Sequence, residues 1–192
     1  MKIGIPKEVK TKEFRVGMIP AGVKHLVQSG HEVYIQKEAG VKSGFNDSDY
    51  VEVGAVILGN AKEVYDQCEM IIKVKEPQPE EYDLLKAGQI LFTYLHLAPV
   101  PDLTKVLQDK KVTAIAYETL QVGNTLPLLD PMSQIAGEVA PLVASYFLSA
   151  HNNGNGTLIS GATGVSPAKV LIIGSGSIDN RSGCNGTIGR GD

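Results

Sequence analysis

An α/β fold built on a largely parallel sheet is what this sequence predicts, on three observations. Short apolar runs alternate with helix-period segments over residues 1–128. One run, residues 89–97, is apolar almost throughout instead of alternating, as a strand buried on both faces must be. A strand-like stretch at residues 169–173 also runs straight into Gly174-Ser175-Gly176.

The elements follow in order. Residues 2–5 read as a strand and residues 21–29 as a helix, which Gly30 stops. Residues 32–36 form a second strand and 55–58 a short third. A helix over 61–67 leads into a strand over 70–74, halted by Glu76-Pro77. Residues 80–86 read as helical and Gly88 closes them; then come the strand 89–97, a helix over 102–109 and a strand over 112–117. Pro131 opens a longer helix, in which Ile135, Val139, Leu142, Val143, Tyr146 and Phe147 share one face. A kink is expected at Pro141, and residues 152–156 read as a loop. The expected layout is a Rossmann- or flavodoxin-like substrate domain over 1–128. A linking helix, strand and turn over 129–178 would begin a Rossmann nucleotide-binding domain, and a Gly-rich tail occupies 179–192.

The bulk composition narrows the partners. The chain has 192 residues, 43% hydrophobic and 20% charged, with a net charge of -3. That mildly acidic balance gives no electrostatic footprint for nucleic acid or an anionic membrane. No apolar run approaches the ~20 residues of a membrane span. The segment Met1-Lys2-Ile3-Gly4-Ile5-Pro6 lacks the apolar core of a signal peptide. Cys68 and Cys184 form no Cys-x-x-Cys pair, so neither a disulfide framework nor a metal site is expected. The cytoplasm is the expected compartment.

Ligands of open parallel sheets bind beyond the carboxyl ends of the strands, and three polar residues fall near such ends. Arg15 lies in the loop after the first strand. Lys75 follows the strand over 70–74. His96 interrupts the end of the most apolar strand. Two cations and an imidazole on one rim suit a small carboxylate with a proton to move, since Arg clamps carboxylates bidentately and His exchanges protons near neutral pH. The pattern also admits plainer readings: Arg15 as a solvated loop charge, Lys75 as a strand-end charge, His96 as a satisfied core histidine. Gly174-x-Gly176 is the opening of a dinucleotide fingerprint, the first Gly making the turn and the second admitting the pyrophosphate. Position 179, where a third Gly belongs, is Asp.

Several segments together carry a family resemblance. They are Gly4-Ile5-Pro6-Lys7-Glu8, Glu13-Phe14-Arg15-Val16-Gly17, Ile72-Lys73-Val74-Lys75-Glu76-Pro77, Tyr94-Leu95-His96-Leu97-Ala98, Ala114-Ile115-Ala116-Tyr117-Glu118-Thr119 and Pro131-Met132-Ser133. On these, residues 1–178 resemble the family of alanine dehydrogenases and transhydrogenase alpha subunits, and the Tyr-Leu-His-Leu-Ala run favours the dehydrogenases. The resemblance implies that Arg15 and Lys75 bind the substrate's carboxylate and keto group and that His96 is catalytic. It places Ser133, beside Met132, near the bound cofactor together with Gly174 and Gly176. It further implies NAD as cofactor, L-alanine, pyruvate and ammonia as reactants, and a homohexamer. Residues 179–192 do not resemble the family, and the ribose-binding acid and the catalytic aspartate of the nucleotide domain are expected beyond this sequence. The chain by itself is therefore expected not to turn over, and a non-catalytic remnant or a transhydrogenase-like subunit are the alternatives.

Overall fold

A computed structural model describes residues 1–173. The readings placed on Gly174, Gly176, Asp179 and the tail lie outside the described residues. The described chain forms two compact units that divide between Leu120 and Gln121.

The first unit is a six-stranded sheet: β1 (Lys2–Ile5), β2 (Glu32–Gln36), β3 (Val56–Leu58), β4 (Met70–Ile72), β5 (Ile90–Thr93) and β6 (Thr113–Ala116). The strand order is β3-β2-β1-β4-β5-β6 and every pair is parallel. The chain lays β2 and β3 on one side of β1, then returns to lay β4, β5 and β6 on the other. That reversal leaves a crevice at the carboxyl ends of β1 and β4, where doubly wound sheets hold ligands.

Parallel strands need crossovers, and the sequence supplies helices for them: α1 (Pro20–Gln28), α2 (Asp47–Glu52), α3 (Ala61–Gln67) and α4 (Pro101–Asp109). Proline opens α1 and α4, where a missing N–H costs nothing. Alternation along the strands divides the core in two. Ile3, Ile5, Val33, Ile35 and Ile72 pack with Val23 of α1 and Tyr50 of α2. Tyr34, Ile71 and Leu91 pack with Val64 and Tyr65 of α3 and Leu103 and Leu107 of α4. Gly4 lets α3 approach β1, because a Cβ there would stand 2.6 Å from Val64 Cγ1 and 2.9 Å from Cys68 Sγ.

Several expectations need correction. The apolar run over 89–97 is a strand only to Thr93, because the last rung on its β6 side is Thr93 opposite Ala116. The helix read over 80–86 is a 3-10 stretch, Pro79–Leu84, which Pro79 opens and the extended Leu85 ends. The helix α2 carries no apolar stripe and escaped the periodicity reading. Its start is fixed by a polar contact, the Asn46 N–H donating to Asp49 Oδ2 at 2.7 Å.

The second unit contains α5 (Asp130–Leu148), which runs 19 residues through Pro141. The face predicted from Ile135, Val139, Leu142, Val143, Tyr146 and Phe147 exists, and these residues are 44% to 70% exposed. Residues 169–173 form no strand, having no neighbouring strand to pair with among the described residues. Among the described residues no helix is long and apolar enough to cross a membrane, and no group of three His, Cys, Asp or Glu could hold a metal ion.

Candidate functional site

Three segments leave the carboxyl ends of the adjacent strands β1, β4 and β5, and they carry the polar side chains. The first holds Glu8, Glu13 and Arg15, the second Lys73 and Lys75, the third Tyr94 and His96. Gly17 sets how closely the first approaches the second: a Cβ there would stand 2.7 Å from the Ile72 carbonyl oxygen and 3.2 Å from Lys73 Cα. A side chain at 17 would push the Arg15 loop off the end of β4.

Arg15 is steered by Glu13. Its Nε and Nη2 donate to the two Glu13 carboxylate oxygens at 2.8 and 2.7 Å, and its backbone N–H donates to Oε1 at 2.9 Å. These bonds from Arg15, with a smaller contribution from Lys75, hold the Glu13 carboxyl down at about 2. Glu13 is thus ionised under all ordinary conditions. The residue pattern left Arg15 as either a carboxylate clamp or a solvated loop charge; the structure gives one edge of its guanidinium to Glu13, a partner the pattern did not indicate. Arg15 also lies in the field of Tyr94, so the loop reaches toward the end of β5.

His96 is held by its backbone. The Tyr94 N–H still donates to the Val74 carbonyl at 3.2 Å. Beyond it the Leu95 and His96 N–H groups donate to Glu118 Oε1 at 3.1 and 2.8 Å. His96 adopts φ +47°, a left-handed conformation that non-glycine residues enter at a cost, and the two bonds to Glu118 offset it. The side chain is exposed, which removes the core-histidine reading. Its ring stacks on Tyr94, with centroids 6.2 Å apart and planes 17° from parallel. Tyr94 meets Tyr117 edge-on at 5.0 Å, and Tyr117 meets Phe92 at 4.4 Å. Burial pushes the Tyr94 phenol up, Arg15 pulls it down and Glu118 raises it, so Tyr94 lies between the arginine and the histidine turn.

Lys75 is half-buried, and beneath it lies a charged network that the sequence reading did not find. The Lys73 side chain is fully buried, its Nζ 2.7 Å from Glu81 Oε1 and 3.4 Å from Glu8 Oε2. Tyr65 donates to Glu81 Oε1 at 3.1 Å. Glu8 Oε1 accepts from the Val74 N–H at 2.6 Å and the Lys75 N–H at 3.4 Å. The signal for Lys73 was a cation within the apolar run Met70-Ile71-Ile72-Lys73-Val74, which a buried strand end tolerates only if carboxylates come to meet it. Arg15, Lys75 and His96 therefore stand at one sheet edge, linked through Glu13, Glu8 and Tyr94. Ser133 belongs to the other unit. It lies near the start of α5, half-buried, with its backbone N–H donating to the Leu129 carbonyl at 3.0 Å.

Comparison with known proteins adds the family. The model of the alanine dehydrogenase/PNT N-terminal domain matches residues 4–136, and that of the alanine dehydrogenase/PNT C-terminal domain matches residues 140–181. The chain is 55% identical over 179 residues to an alanine dehydrogenase of Methanococcus maripaludis, covering 93% of this chain and 48% of that protein. It is 50% identical over 178 residues to an alanine dehydrogenase of Bacillus subtilis, covering 93% of this chain and 47% of that one. A solved L-alanine dehydrogenase superposes with a TM-score of 0.86 at 48% identity, covering 95% of this chain and 50% of the other. The chain spans about half the length of the curated relatives it matches. The matched domain models, the sequence identity and the doubly wound sheet agree: this chain belongs to the alanine dehydrogenase/PNT family.

Proposed function

We propose that this chain supplies the substrate-binding domain of an NAD-dependent alanine dehydrogenase, which interconverts L-alanine with pyruvate and ammonia. The observation that supports the reading is that Arg15, Lys75 and the exposed His96 follow the carboxyl ends of the adjacent strands β1, β4 and β5, beside the switch point of the sheet. In this reading residues 1–128 form the substrate domain, 129–178 begin the nucleotide-binding domain, and 179–192 are a separate tail. Ser133, Gly174 and Gly176 are the cofactor contacts. The family resemblance further supports a cytoplasmic homohexamer.

Each residue has a defined task. Arg15, oriented by Glu13, binds the substrate carboxylate with a charge-assisted bond. Lys75 donates to the keto oxygen of pyruvate and stabilises negative charge there. Tyr94 shields one face of the His96 ring and limits its rotation. His96 takes the proton from the alanine ammonium, since only the neutral amine can lose the α-hydride, and releases it to solvent; it then takes a proton from the water that attacks iminopyruvate and returns it to the departing nitrogen. The chemistry a bound nicotinamide supplies is acceptance of that hydride.

Pyruvate titrated into the chain, followed by the amide NMR signals of residues 13–17, 74–75 and 94–96, tests this. Saturable shifts at all three segments are expected. Arg15→Met should weaken binding by roughly 10–100-fold, the worth of a hydrogen bond to a charged group. Shifts confined to other regions, or an unchanged affinity in Arg15→Met, would contradict the reading.

A further inference from the structure

We propose that Glu8 is the positioning residue for Lys75, fixing it through backbone hydrogen bonds and not through charge. The inference rests on the substrate-site reading above in one respect, that Lys75 meets the ligand.

The geometry is asymmetric. The Glu8 side chain is 2% exposed. All its hydrogen bonds converge on Oε1, which accepts from the Val74 N–H at 2.6 Å and the Lys75 N–H at 3.4 Å. Oε2 is buried and has no hydrogen-bond partner. Lys73 Nζ stands 3.4 Å from it but donates to Glu81 at 2.7 Å. Glu8 shares the charge of Lys73 with Glu81 but leaves Glu81 the hydrogen bond, and its own hydrogen bonds go to the two amides at the point where Lys75 emerges.

That point needs support. Strand β4 ends at Ile72 and its last bonds to the β5 side use the Lys73 N–H and the Val74 carbonyl, so the Val74 and Lys75 N–H groups take their acceptor from Glu8. Glu8 reaches them from the loop after β1. It therefore ties together the two strands on either side of the crevice, and it fixes the backbone from which the Lys75 ammonium projects. The same carboxylate is felt by Arg15, Tyr65 and Tyr117, which surround it from the loop after β1, from α3 and from the turn after β6. A shift of Lys75 by even an ångström would weaken a bond that depends on orientation.

Two near-isosteric variants separate hydrogen bonding from charge. Glu8→Gln keeps an oxygen at the position of Oε1 and loses the charge. Glu8→Asp keeps the charge and withdraws the carboxylate by one methylene, out of reach of the amides. The readouts, on the full chain, are pyruvate affinity and the hydrogen-exchange protection of the Val74 and Lys75 amides. Glu8→Asp is expected to lose roughly tenfold in affinity and at least as much in protection at those two amides, with Glu8→Gln losing about threefold or less. The Gln amide turned toward Lys73 should lower the melting temperature, a cost that falls on stability and not on these readouts. The opposite order, or equal loss in both variants, or no loss in either, overturns the proposal. If wild-type chain shows no pyruvate binding, the substrate-site reading fails, and the exchange pattern at Val74 and Lys75 still decides the role of Glu8.

Discussion

Replacing Lys73 with Met is expected to destabilise the chain by about 3–5 kcal/mol near pH 8, and by clearly less near pH 5. Lys73 is 0% exposed and stands between two buried carboxylates, Glu8 and Glu81. The Met chain fills most of the lysine's volume, so cavity formation contributes little. What remains is a buried carboxylate pair without its cation, which is the costly way to break a buried ion pair. The pH dependence follows from Glu8. Burial already pushes its carboxyl above the ordinary 4.5, and Lys73 is the largest influence pulling it down. Without Lys73 the folded-state value rises further while the unfolded one stays. The folded variant then binds a proton that the unfolded chain releases, so its stability falls as pH rises from about 4.5 through the folded value. Below 4.5 both states are protonated and that part of the penalty disappears. Urea unfolding of wild type and Lys73→Met at about pH 5 and pH 8 measures this. A loss under about 1 kcal/mol at the higher pH, or a larger loss at the lower, would show that Glu8 and Glu81 do not depend on the lysine.

The contrast between what pattern revealed and what it hid runs along the distance to a residue's partner. β1, β2 and α3 were legible to the residue, because short apolar runs and helical spacing are local signals. The end of β5 was not. Residues 89–97 look alike as a string, and only the length of β6 and the carboxylate of Glu118 decide that the strand stops at Thr93 and that His96 turns left-handed. The same holds at the rim. Arg15, Lys75 and His96 could be placed near strand ends by counting, since each follows a strand. Glu8 reaches Val74 across 66 positions, and Glu118 reaches His96 across 22. No period or spacing encodes such contacts. Glu13 was closer to legible, two residues from Arg15, yet an acid beside an arginine on a loop reads as a solvated pair until burial is known. In the second unit the periodicity was right and says nothing about what the apolar face of α5 meets, so its exposure had no counterpart in the reading.

Replacing His96 with Ala is expected to lower turnover by roughly 10²–10⁴-fold when the chain is assayed with a complete nucleotide-binding domain. Pyruvate affinity should fall far less, because Arg15 and Lys75 remain in place. The argument starts from the backbone. Two bonds from Glu118 hold residue 96 at φ +47°, and these survive the substitution because they use N–H groups of residues 95 and 96. An alanine tolerates that conformation somewhat less well than a histidine does, so the turn is not relaxed by the change. What is lost is the exposed imidazole beside Tyr94, the group proposed above to exchange protons with substrate and water. Tyr94 does not replace it, since burial pushes its phenol up from an already high value. Oxidation of alanine needs a proton taken from the ammonium, and imine hydrolysis needs one taken from water. Without His96 both protons pass to solvent, and the chemical step slows while binding does not. Steady-state kinetics from about pH 6 to 10 with wild type and His96→Ala separate the two effects. The pH profile of turnover should differ between wild type and variant, with KM for pyruvate within about tenfold. A variant that keeps turnover within a few-fold and an unaltered pH profile would leave His96 as a structural residue of the turn and move the proton transfer to another group.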